Sequence, residues 1–508
     1  MPYNTFVVRE TPIMKLSPQQ AAAVSAIANG RGSIILSAVA GSGKTSTLIE
    51  MLKVTKGSVA FCAFNKAIAQ EIEHKINQNN INNDTVKVGT VHSFGFGALR
   101  RAYSNIKVDG NKLQNIAQQE FNGEYTNLRQ FVTAAVAMAK EVGIAACVEN
   151  NYNNWIQMFD HYDLWESLPV EVSNESAVDA CQYLLDISNQ ITNIVDFADM
   201  IYLPILNKLK IWQYDNVFLD EAQDTNGPRR ELVKMMLKKG GRLVAVGDSH
   251  QAIYGFTGAD HNALNLIQDQ FNAVEMPLSV TFRCPKNVVK VAQQWVTHIE
   301  SHESSPEGIV DECTIQELSK LVTQKDAIIC RNTKPLIEVA YTLIRNNIAC
   351  KVEGRKIGEG LIKLAQRWKV KTVDQLAEKL EDWKEKEILK YREKGNDAKC
   401  QMIEDQADTL FVFIDQCKAD DSIAVLIEKI KSIFDDTENK EILTLSTIHK
   451  SKGREWNRVF ALGMNTYSPS KWAKKSWELQ QENNLLYVQV TRAKHHLTKV
   501  NVPTIDKK

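Results

Sequence analysis

The chain has 508 residues, more than one hydrophobic core normally holds, so roughly three or four domains are expected. Apolar residues make up 44% and charged residues 24%, and 61 basic side chains balance 61 acidic ones. This composition is that of an ordinary globular protein, and zero net charge removes any argument for nucleic-acid binding from global charge, so a basic surface has to be local.

Cysteine spacing and hydropathy indicate the cellular compartment and whether the chain crosses a membrane. The nine cysteines are dispersed without a CxxC pair, which is typical of buried thiols in a reducing compartment and not of a disulfide framework or a zinc site. No uninterrupted apolar run of about 18 residues appears, and Met1–Met14 lacks the basic-then-apolar order of a signal peptide. We therefore expect a cytoplasmic protein without a membrane span.

The first part of the chain alternates strand and helix patterns. Ser33–Ala40 is a short β-prone run followed by a glycine loop and an apolar-periodic helix. Val59–Ala63 indicates a second buried strand, with a helix from Lys66 to about Ile76. Strand, glycine loop and helix in this order form the first unit of a parallel α/β sheet. From Asn105 to Val195 the chain is rich in Asn, Gln and aromatic residues, which indicates a mostly helical segment.

The rest of the chain repeats this organisation. Further strands are predicted at Val217–Leu219, Arg242–Val246, Asp326–Cys330, Ile442–Ser446 and Arg458–Leu462. Lys334–Asn346 indicates a helix, and Leu361–Lys440 is charge-dense and almost free of Gly and Pro, which predicts a small helical insertion. The simplest architecture is two α/β cores, each interrupted by helices.

Ala38–Thr45 fits a phosphate-binding loop in which Ala38 replaces the usual first glycine. Glycines let backbone N–H groups converge on phosphate oxygens, and the helix that begins near Lys44 points its positive end at the same anion. Lys44 supplies a charge for the β- and γ-phosphates, and Thr45 supplies a hydroxyl for Mg²⁺. The strand before this loop and the helix after it favour a nucleotide site.

A second chemical signal is the pair of carboxylates that follows the apolar strand Val217–Leu219. Open α/β sheets bind ligands at the carboxyl ends of their strands, which is where Asp220 and Glu221 lie. In that position Asp220 can hold Mg²⁺, and Glu221 can polarise the attacking water as a general base.

Several more segments stand in the order found in superfamily 1 helicases of the UvrD/Rep type, which this chain resembles. The matching segments are Leu16–Gln20, Gly89–Phe94, Asp220–Asp224, Val246–Phe256, Thr281–Arg283, Leu445–Trp456 and Leu485–Lys494. The resemblance implies an α/β fold with two RecA-like parallel-sheet P-loop cores, each carrying a mainly helical insertion. The expected domains are core 1 at 1–104 and 197–279 with its insertion at 105–196, and core 2 at 280–360 and 441–508 with its small insertion at 361–440.

The resemblance also implies ATP and Mg²⁺ bound between the cores. In such a site Gln20 recognises adenine by its amide, Phe282 stacks on the base, and Glu455 reaches the ribose. Gln251 senses the γ-phosphate, and Arg283 and Arg492 reach it from the second core. The expected nucleotide-binding residues are Gln20, Ala38, Val39, Ala40, Gly41, Ser42, Gly43, Lys44, Thr45, Phe282, Arg283, Glu455 and Arg492. Lys44, Glu221, Gln251, Arg283 and Arg492 are the expected catalytic residues, and Thr45 and Asp220 the expected metal ligands.

Contacts with a nucleic-acid strand are implied in both cores. The expected residues are Thr90, His92, Phe94, Tyr254, Phe256, Thr447, His449 and Ser451. The aromatic faces of Tyr254 and Phe256 can stack on any base without sequence preference, whereas Thr447, His449 and Ser451 are expected to contact the backbone.

The implied function is an ATP-dependent DNA helicase that moves 3′ to 5′ along single-stranded DNA and acts at junctions between single- and double-stranded DNA. Two alternatives stay open. The short second insertion favours a single-stranded DNA translocase that mainly displaces bound proteins. The other is an ATP-gated nucleic-acid-binding protein without turnover, against which the intact Lys44, Glu221, Arg283 and Arg492 argue. Protein partners are not predicted.

Overall fold

The computed structural model describes residues 16–81, 85–169, 171–255, 258–260, 262–346, 348–393, 397–434 and 442–503. The first stretch builds half of a parallel sheet from α1 (Pro18–Asn29), β1 (Ile34–Ala38), α2 (Lys44–Val54), β2 (Val59–Ala63), α3 (Lys66–Gln78), β3 (Val86–Thr90) and α4 (Val91–Ala102). Ser17 caps α1, since its side chain accepts the N–H of Gln20 and the Gln20 side chain accepts the N–H of Ser17. A capping box thus fixes the first turn of α1.

An insertion follows α4 and consists mainly of helices. Its elements are β4 (Lys107–Val108), α5 (Lys112–Glu120), α6 (Arg129–Val142), α7 (Tyr152–His161), α8 (Asn174–Gln190) and β5 (Ile194–Val195). The helices close on a buried core that contains Phe131, Trp155, Phe159 and Leu184. This segment, called insertion 1 below, therefore has a hydrophobic core, which extends to Leu99 of α4 and to Tyr202 and Leu203 beyond the insertion.

The chain then returns to the first sheet with α9 (Asp199–Leu206), β6 (Tyr214–Leu219), α10 (Gly227–Met235), β7 (Leu237–Gly247), α11 (Ala263–Phe271) and β8 (Val274–Leu278). The six strands are ordered β3-β2-β6-β7-β1-β8, and every pair is parallel. Because β6, β7 and β1 are neighbours, the loops that follow them converge on one edge of the sheet. We call this sheet and its helices core 1.

Core 2 begins with β9 (Val280–Thr281), α12 (Lys286–Ala292), β10 (Glu300–Ser301), β11 (Ile309–Thr314), α13 (Leu318–Leu321), β12 (Ala327–Cys330), α14 (Thr333–Arg345) and β13 (Cys350–Val352). A second insertion contains α15 (Arg355–Gln366), α16 (Val373–Glu393), α17 (Asp397–Ile414) and α18 (Ile423–Ile433). Core 2 ends with β14 (Leu443–Thr447), α19 (Ile448–Ser451), β15 (Trp456–Leu462), α20 (Met464–Tyr467), α21 (Ser476–Val490) and β16 (Ala493–Asn501). Its six-stranded sheet, ordered β11-β16-β15-β12-β14-β13, is also parallel throughout.

The second insertion shares its hydrophobic core with the sheet of core 2. Leu410 and Phe413 of α17 belong to the same buried cluster as Ile328 of β12 and Phe460 of β15. The insertion predicted from sequence begins at residue 361. In the structure this residue lies inside α15, which begins at Arg355. The second insertion is therefore packed on core 2 as part of one continuous apolar layer.

The two cores touch through apolar and polar side chains. Val39, Ala40 and Ile253 of core 1 lie in one buried cluster with Val288 and Tyr487 of core 2. Over the ranges described above, no helix has the combination of length and apolarity that a membrane crossing needs.

Candidate functional site

The loop between β1 and α2 is shaped to receive an anion. Gly41 and Gly43 have φ angles of +73° and +77°, a region that side chains with a Cβ rarely adopt. No side chain caps α2, whose first residue is Lys44, so its first N–H groups face the loop. The hydroxyl of Ser42 is buried and has no hydrogen-bond partner among the described residues. A phosphate group fits these unsatisfied donors.

Two carboxylates lie beside this loop, at the end of β6. Lys44 Nζ is 3.2 Å from Glu221 Oε1, and Glu221 has a left-handed backbone with φ of +50°. Strain of this kind at a ligand edge is characteristic of functional positions. Burial and the neighbouring Glu221 charge raise the pKa of Asp220. Burial also acts to raise the pKa of Glu221, but the positive charges of Lys44 and Lys452 outweigh it, and the net shift is downward.

The Lys44 ammonium balances this acidic cluster. Burial acts to lower its pKa, but the carboxylates of Glu221, Asp248 and Asp220 together raise it above the ordinary lysine value. Lys44 is therefore a fixed positive charge at neutral pH, and the Glu221 carboxylate that it contacts is its direct ion-pair partner.

The residues at this edge can hold a magnesium ion only together with a bound polyphosphate. Asp220 is 5% exposed, and Thr45 stands in the first turn of α2. Mg²⁺ usually takes one or two carboxylates together with phosphate oxygens and water. Among the described residues no cluster of three or more His, Cys, Asp or Glu side chains could hold a metal unaided. Asp220 and Thr45 thus match an ion that arrives with a polyphosphate.

Two side chains of the types that recognise a planar base, Gln20 and Phe282, lie beside Gly43. Gln20 Nε2 donates to Ser42 O at 3.2 Å, and Gln20 Oε1 accepts the Ser17 N–H at 2.9 Å. An amide has two donors and two acceptor sites, so one of each is left for a base. Phe282 is 42% exposed, and its ring centroid is 4.9 Å from that of His302. The exposed aromatic face is available for stacking.

Both sequence-predicted arginines of core 2 reach this edge. The Phe282 N–H donates to Gly41 O at 2.9 Å, which holds Arg283 against the glycine loop, and Arg283 Nε donates to Glu455 at 2.6 Å. Arg492 is 1% exposed, and its Nη2 lies 3.4 Å from Gln251 Oε1 of core 1. Burial and the charge of Arg283 lower the pKa of Arg492 to about 10, so its guanidinium is still charged at neutral pH.

Hydrogen bonds join two loops of core 1, the loop after β6 and the loop after β7. Gln251 Nε2 donates to Asp248 Oδ2 at 2.7 Å. Gln223 donates to Glu221 through Nε2, and its Oε1 accepts the N–H of Asp248 at 3.0 Å. Gln251 and Glu221 are therefore linked through two intermediate residues, Asp248 and Gln223.

A second group of sequence-predicted residues lies around Tyr254. Its ring stacks on Phe64 with centroids 6.0 Å apart, and its hydroxyl donates to His449 O at 3.4 Å. Lys452 Nζ is 4.8 Å from the centre of the same ring. Thr447 caps α19 by accepting the N–H of Lys450. Tyr254 of core 1 and the α19 segment of core 2 are thus brought together, whereas Phe256 lies outside the described residues.

The remaining predicted strand contacts differ in exposure. Thr90 caps α4 by accepting the N–H of Ser93. His92 lines a small cavity, and burial together with Arg229 lowers the pKa of its ring to about 4. Phe94 packs edge-on against Tyr214. Ser451 is fully buried, with its hydroxyl donating to Ile448 O at 2.8 Å. The structure does not bring Ser451 to a surface.

Comparison with known families agrees with this arrangement. A family model described as the UvrD/REP helicase N-terminal domain matches residues 16–272, and the UvrD-like helicase C-terminal domain matches residues 355–500. The first match alone spans half of the chain. The chain belongs to the UvrD/Rep helicase family.

Individual members of the UvrD/Rep family are distant in sequence. The chain is 25% identical to F-box DNA helicase protein 1 of Schizosaccharomyces pombe, over 97% of this chain and 59% of that protein. It is 26% identical to ATP-dependent DNA helicase Rep of Escherichia coli, over 55% of this chain and 43% of that protein. ATP-dependent DNA helicase PcrA of Staphylococcus epidermidis is 24% identical, over 56% and 40%. The chain spans about half the length of these relatives.

Three residues inside the UvrD/Rep segments escaped sequence reasoning. They are Gln223, Lys452 and Tyr487, and each of them makes its contacts within the interface or between neighbouring loops. Their chemistry depends on partners far away along the chain, which spacing within one motif does not reveal. For Tyr487 the sequence did contain one indication of a special role, a side chain with a polar hydroxyl within the mostly apolar stretch Leu485–Val490.

Proposed function

We propose that this chain is an ATP-dependent DNA helicase that moves 3′ to 5′ along single-stranded DNA and couples ATP hydrolysis to duplex unwinding. The observation that carries the proposal is the meeting of Arg492 of core 2 with Gln251 of core 1, at 3.4 Å, on the edge that also holds Lys44. A site split between two bodies makes hydrolysis depend on their closure.

In this mechanism the residues of core 1 hold the polyphosphate. The N–H groups of Gly41, Ser42 and Gly43 and the charge of Lys44 bind phosphate oxygens. Thr45 and Asp220 hold Mg²⁺, which when bound neutralises charge on the phosphates. Gln20 and Phe282 orient the base, and Glu455 lies in reach of the sugar.

Glu221 acts as the general base. Its lowered pKa keeps the carboxylate ionised at neutral pH, although burial alone would oppose this, so it can orient water and accept a proton. Arg283 and Arg492 supply positive charge from the opposite core. Charge of this kind stabilises the negative charge that develops on the transferred phosphoryl group.

Closure also moves the groups proposed to grip the strand. Tyr254 follows the loop that carries Gln251, and His449 belongs to the core 2 segment that meets it. Thr90, His92 and Thr447 complete the proposed backbone contacts, and Phe256 is proposed as a second stacking ring. We assign Ser451 and Phe94 to the same nucleic-acid site, where the buried Ser451 and the partly buried Phe94 would shape α19 and α4. Alternating closure and release would then advance the strand by small steps.

The domain division proposed from sequence suits this mechanism. Core 1 at 1–104 and 197–279 supplies the phosphate loop, and core 2 at 280–360 and 441–508 supplies the arginines. The insertions at 105–196 and 361–440 are proposed to contact the junction of single- and double-stranded DNA. We propose that the protein acts in a reducing cytoplasm, because its nine cysteines are free and most of them are buried.

Unwinding of tailed duplexes tests the proposal. The purified chain, ATP and Mg²⁺ are mixed with DNA duplexes that carry a 3′ or a 5′ single-stranded tail, and with matching RNA duplexes. The expected result is strand separation of the 3′-tailed DNA only. Equal separation of 5′-tailed DNA, or separation of RNA alone, would contradict the proposed direction or substrate.

A translocase that mainly displaces proteins is the second candidate. The observation in its favour is that the second insertion is packed into the apolar layer of core 2, with Leu410 and Phe413 against Ile328. The two candidates are distinguished by measuring, under the same conditions, the displacement of a protein bound to single-stranded DNA and the unwinding of a duplex. Displacement at a rate far above unwinding would favour the second candidate.

A further inference from the structure

Tyr487 lies at the centre of the contact between the cores. Its side chain is fully buried, and its hydroxyl oxygen is 2.9 Å from the backbone nitrogen of Ala40 in the phosphate loop. The same oxygen is 3.4 Å from Oδ2 of Asp248, in the loop after β7. The Ala40 N–H donates to the phenol oxygen and the phenol O–H donates to the carboxylate, so one hydroxyl of core 2 bridges two loops of core 1.

The acceptor Asp248 also holds Gln251. Gln251 Nε2 donates to the same Oδ2 atom at 2.7 Å, while Gln251 Oε1 lies 3.4 Å from Arg492. Arg492 Nε donates to Val488 O, which fixes the arginine to the end of α21, the helix that carries Tyr487. One rigid element of core 2 therefore reaches Gln251 twice, directly through Arg492 and indirectly through Tyr487 and Asp248.

We propose that the Tyr487 hydroxyl is a positioning group that sets the side chain of Gln251 when the two cores close. This inference rests on the proposed function and on the role that the family resemblance implies for Gln251, which is to sense the γ-phosphate. When core 2 moves away, Asp248 loses the phenol donor and keeps the His250 N–H on Oδ1, so its Oδ2 and the bonded Gln251 are held less tightly. When core 2 returns, the hydroxyl fixes the carboxylate, and Gln251 is held in one orientation without any contact between Tyr487 and the nucleotide.

The buried environment suits this role. Burial and the nearby Asp248 carboxylate raise the pKa of Tyr487 well above the ordinary tyrosine value, so the phenol keeps its proton and stays a donor. The ring packs among apolar side chains such as Val288 and Val39. Packing and hydrogen bonding can therefore be separated by one substitution, because phenylalanine keeps the ring and removes only the hydroxyl.

The test is the steady-state ATPase of the full chain with Tyr487→Phe, with and without single-stranded DNA. We expect the DNA-stimulated kcat to fall about tenfold while the KM for ATP changes less than twofold, because every group proposed to touch the nucleotide remains. The matched control is Tyr341→Phe in core 2, whose hydroxyl is buried without a hydrogen-bond partner among the described residues. It should leave kcat unchanged, and thermal melting of both variants should show that they are folded.

A double variant distinguishes positioning from a general loss of structure. In a Gln251→Ala background, Tyr487→Phe should lower kcat no further, since the group that the hydroxyl positions is gone. A further tenfold loss in that background, or a Tyr487→Phe enzyme with unchanged kcat, would overturn the inference. A wild-type chain that DNA does not stimulate would instead contradict the proposed function, and the same assay records that outcome first.

Discussion

Lys452 of core 2 buries its ammonium group against Asp224 of core 1, with Nζ 2.6 Å from Oδ2. The same nitrogen donates to the backbone carbonyl of Gln251 at 2.7 Å and lies over the ring of Tyr254. Burial raises the pKa of Asp224 to about 6, and Lys452 opposes that rise. One lysine thus contacts the loop after β6, the loop after β7 and Tyr254, the tyrosine proposed to bind the DNA strand.

Replacing this lysine should loosen the closed state. Lys452→Met leaves Asp224 buried without its partner, and breaking a buried pair from one side destabilises by about 3–5 kcal/mol unless the cleft opens to water. We expect a lower melting temperature and a higher KM for ATP. Lys450→Met, an exposed lysine on the same turn, is the control. Adding Asp224→Asn should restore the melting temperature; failure to restore it would show that the ion pair is not the cause.

A buried charge network ties insertion 1 to core 1, and its loss should destabilise the protein. Lys140 Nζ lies 2.6 Å from Asp199 Oδ1 and 2.8 Å from Asp196 Oδ2, and Lys112 lies 2.7 Å from the other Asp199 oxygen. Lys140→Met should lower the free energy of unfolding by about 3–5 kcal/mol, because Asp196 and Asp199 keep buried charge with one cation fewer. Denaturant unfolding measures this, with exposed Lys107→Met as the control. An unchanged midpoint would mean that the network is not structural.

The glycine loop should tolerate no side chain at Gly41. A Cβ there would collide with Arg283 Cβ and come within 2.6 Å of Thr281 Oγ1, and the φ of +73° disfavours alanine. The left-handed backbone alone costs about 1–2 kcal/mol, so Gly41→Ala should lower kcat/KM for ATP about tenfold or more. Gly32→Ala, which meets nothing within 4 Å, is the control. Equal kcat/KM in the two variants would contradict close contact between core 2 and the loop.

Acid should destabilise the protein partly through His449. Its surroundings lower the ring pKa to about 3, chiefly by burial and then by the charges of Arg331 and Lys452. Below the unfolded value of about 6.5, the unfolded chain takes up a proton that the folded chain does not, so stability falls between about pH 6.5 and 3. Melting temperatures of His449→Gln should therefore fall less steeply with acid than those of exposed His298→Gln. Parallel slopes would assign the acid sensitivity elsewhere.

Local patterns carried much of the fold. Sequence predicts β2 at Val59–Ala63, and the structure has the same bounds, inside an apolar run that ends at Phe64. Asp326–Cys330 is likewise confirmed as β12, from Ala327 to Cys330. The α/β class with two parallel sheets follows from such strands and the helices between them.

Long-range contacts could not be predicted from the chain. Ala40 and Tyr487 are joined by a hydrogen bond although 447 positions separate them, and no periodicity encodes that pairing. The sequence predicts a helical insertion at 361–440 but not its packing, in which Leu410 and Phe413 complete the apolar layer on the sheet of core 2. An amphipathic helix shows that it has a buried face, but not which partner covers that face.

Phosphate release by the purified full chain, measured with and without single-stranded DNA, tests the central claim most directly. Lys44→Ala removes the charge held beside Glu221, and Lys53→Ala removes an exposed lysine from the same helix, α2. We predict strong stimulation by DNA in the wild type and in Lys53→Ala, and no turnover in Lys44→Ala. Turnover that DNA does not change, or that survives in Lys44→Ala, would contradict an ATP-driven motor built on this site.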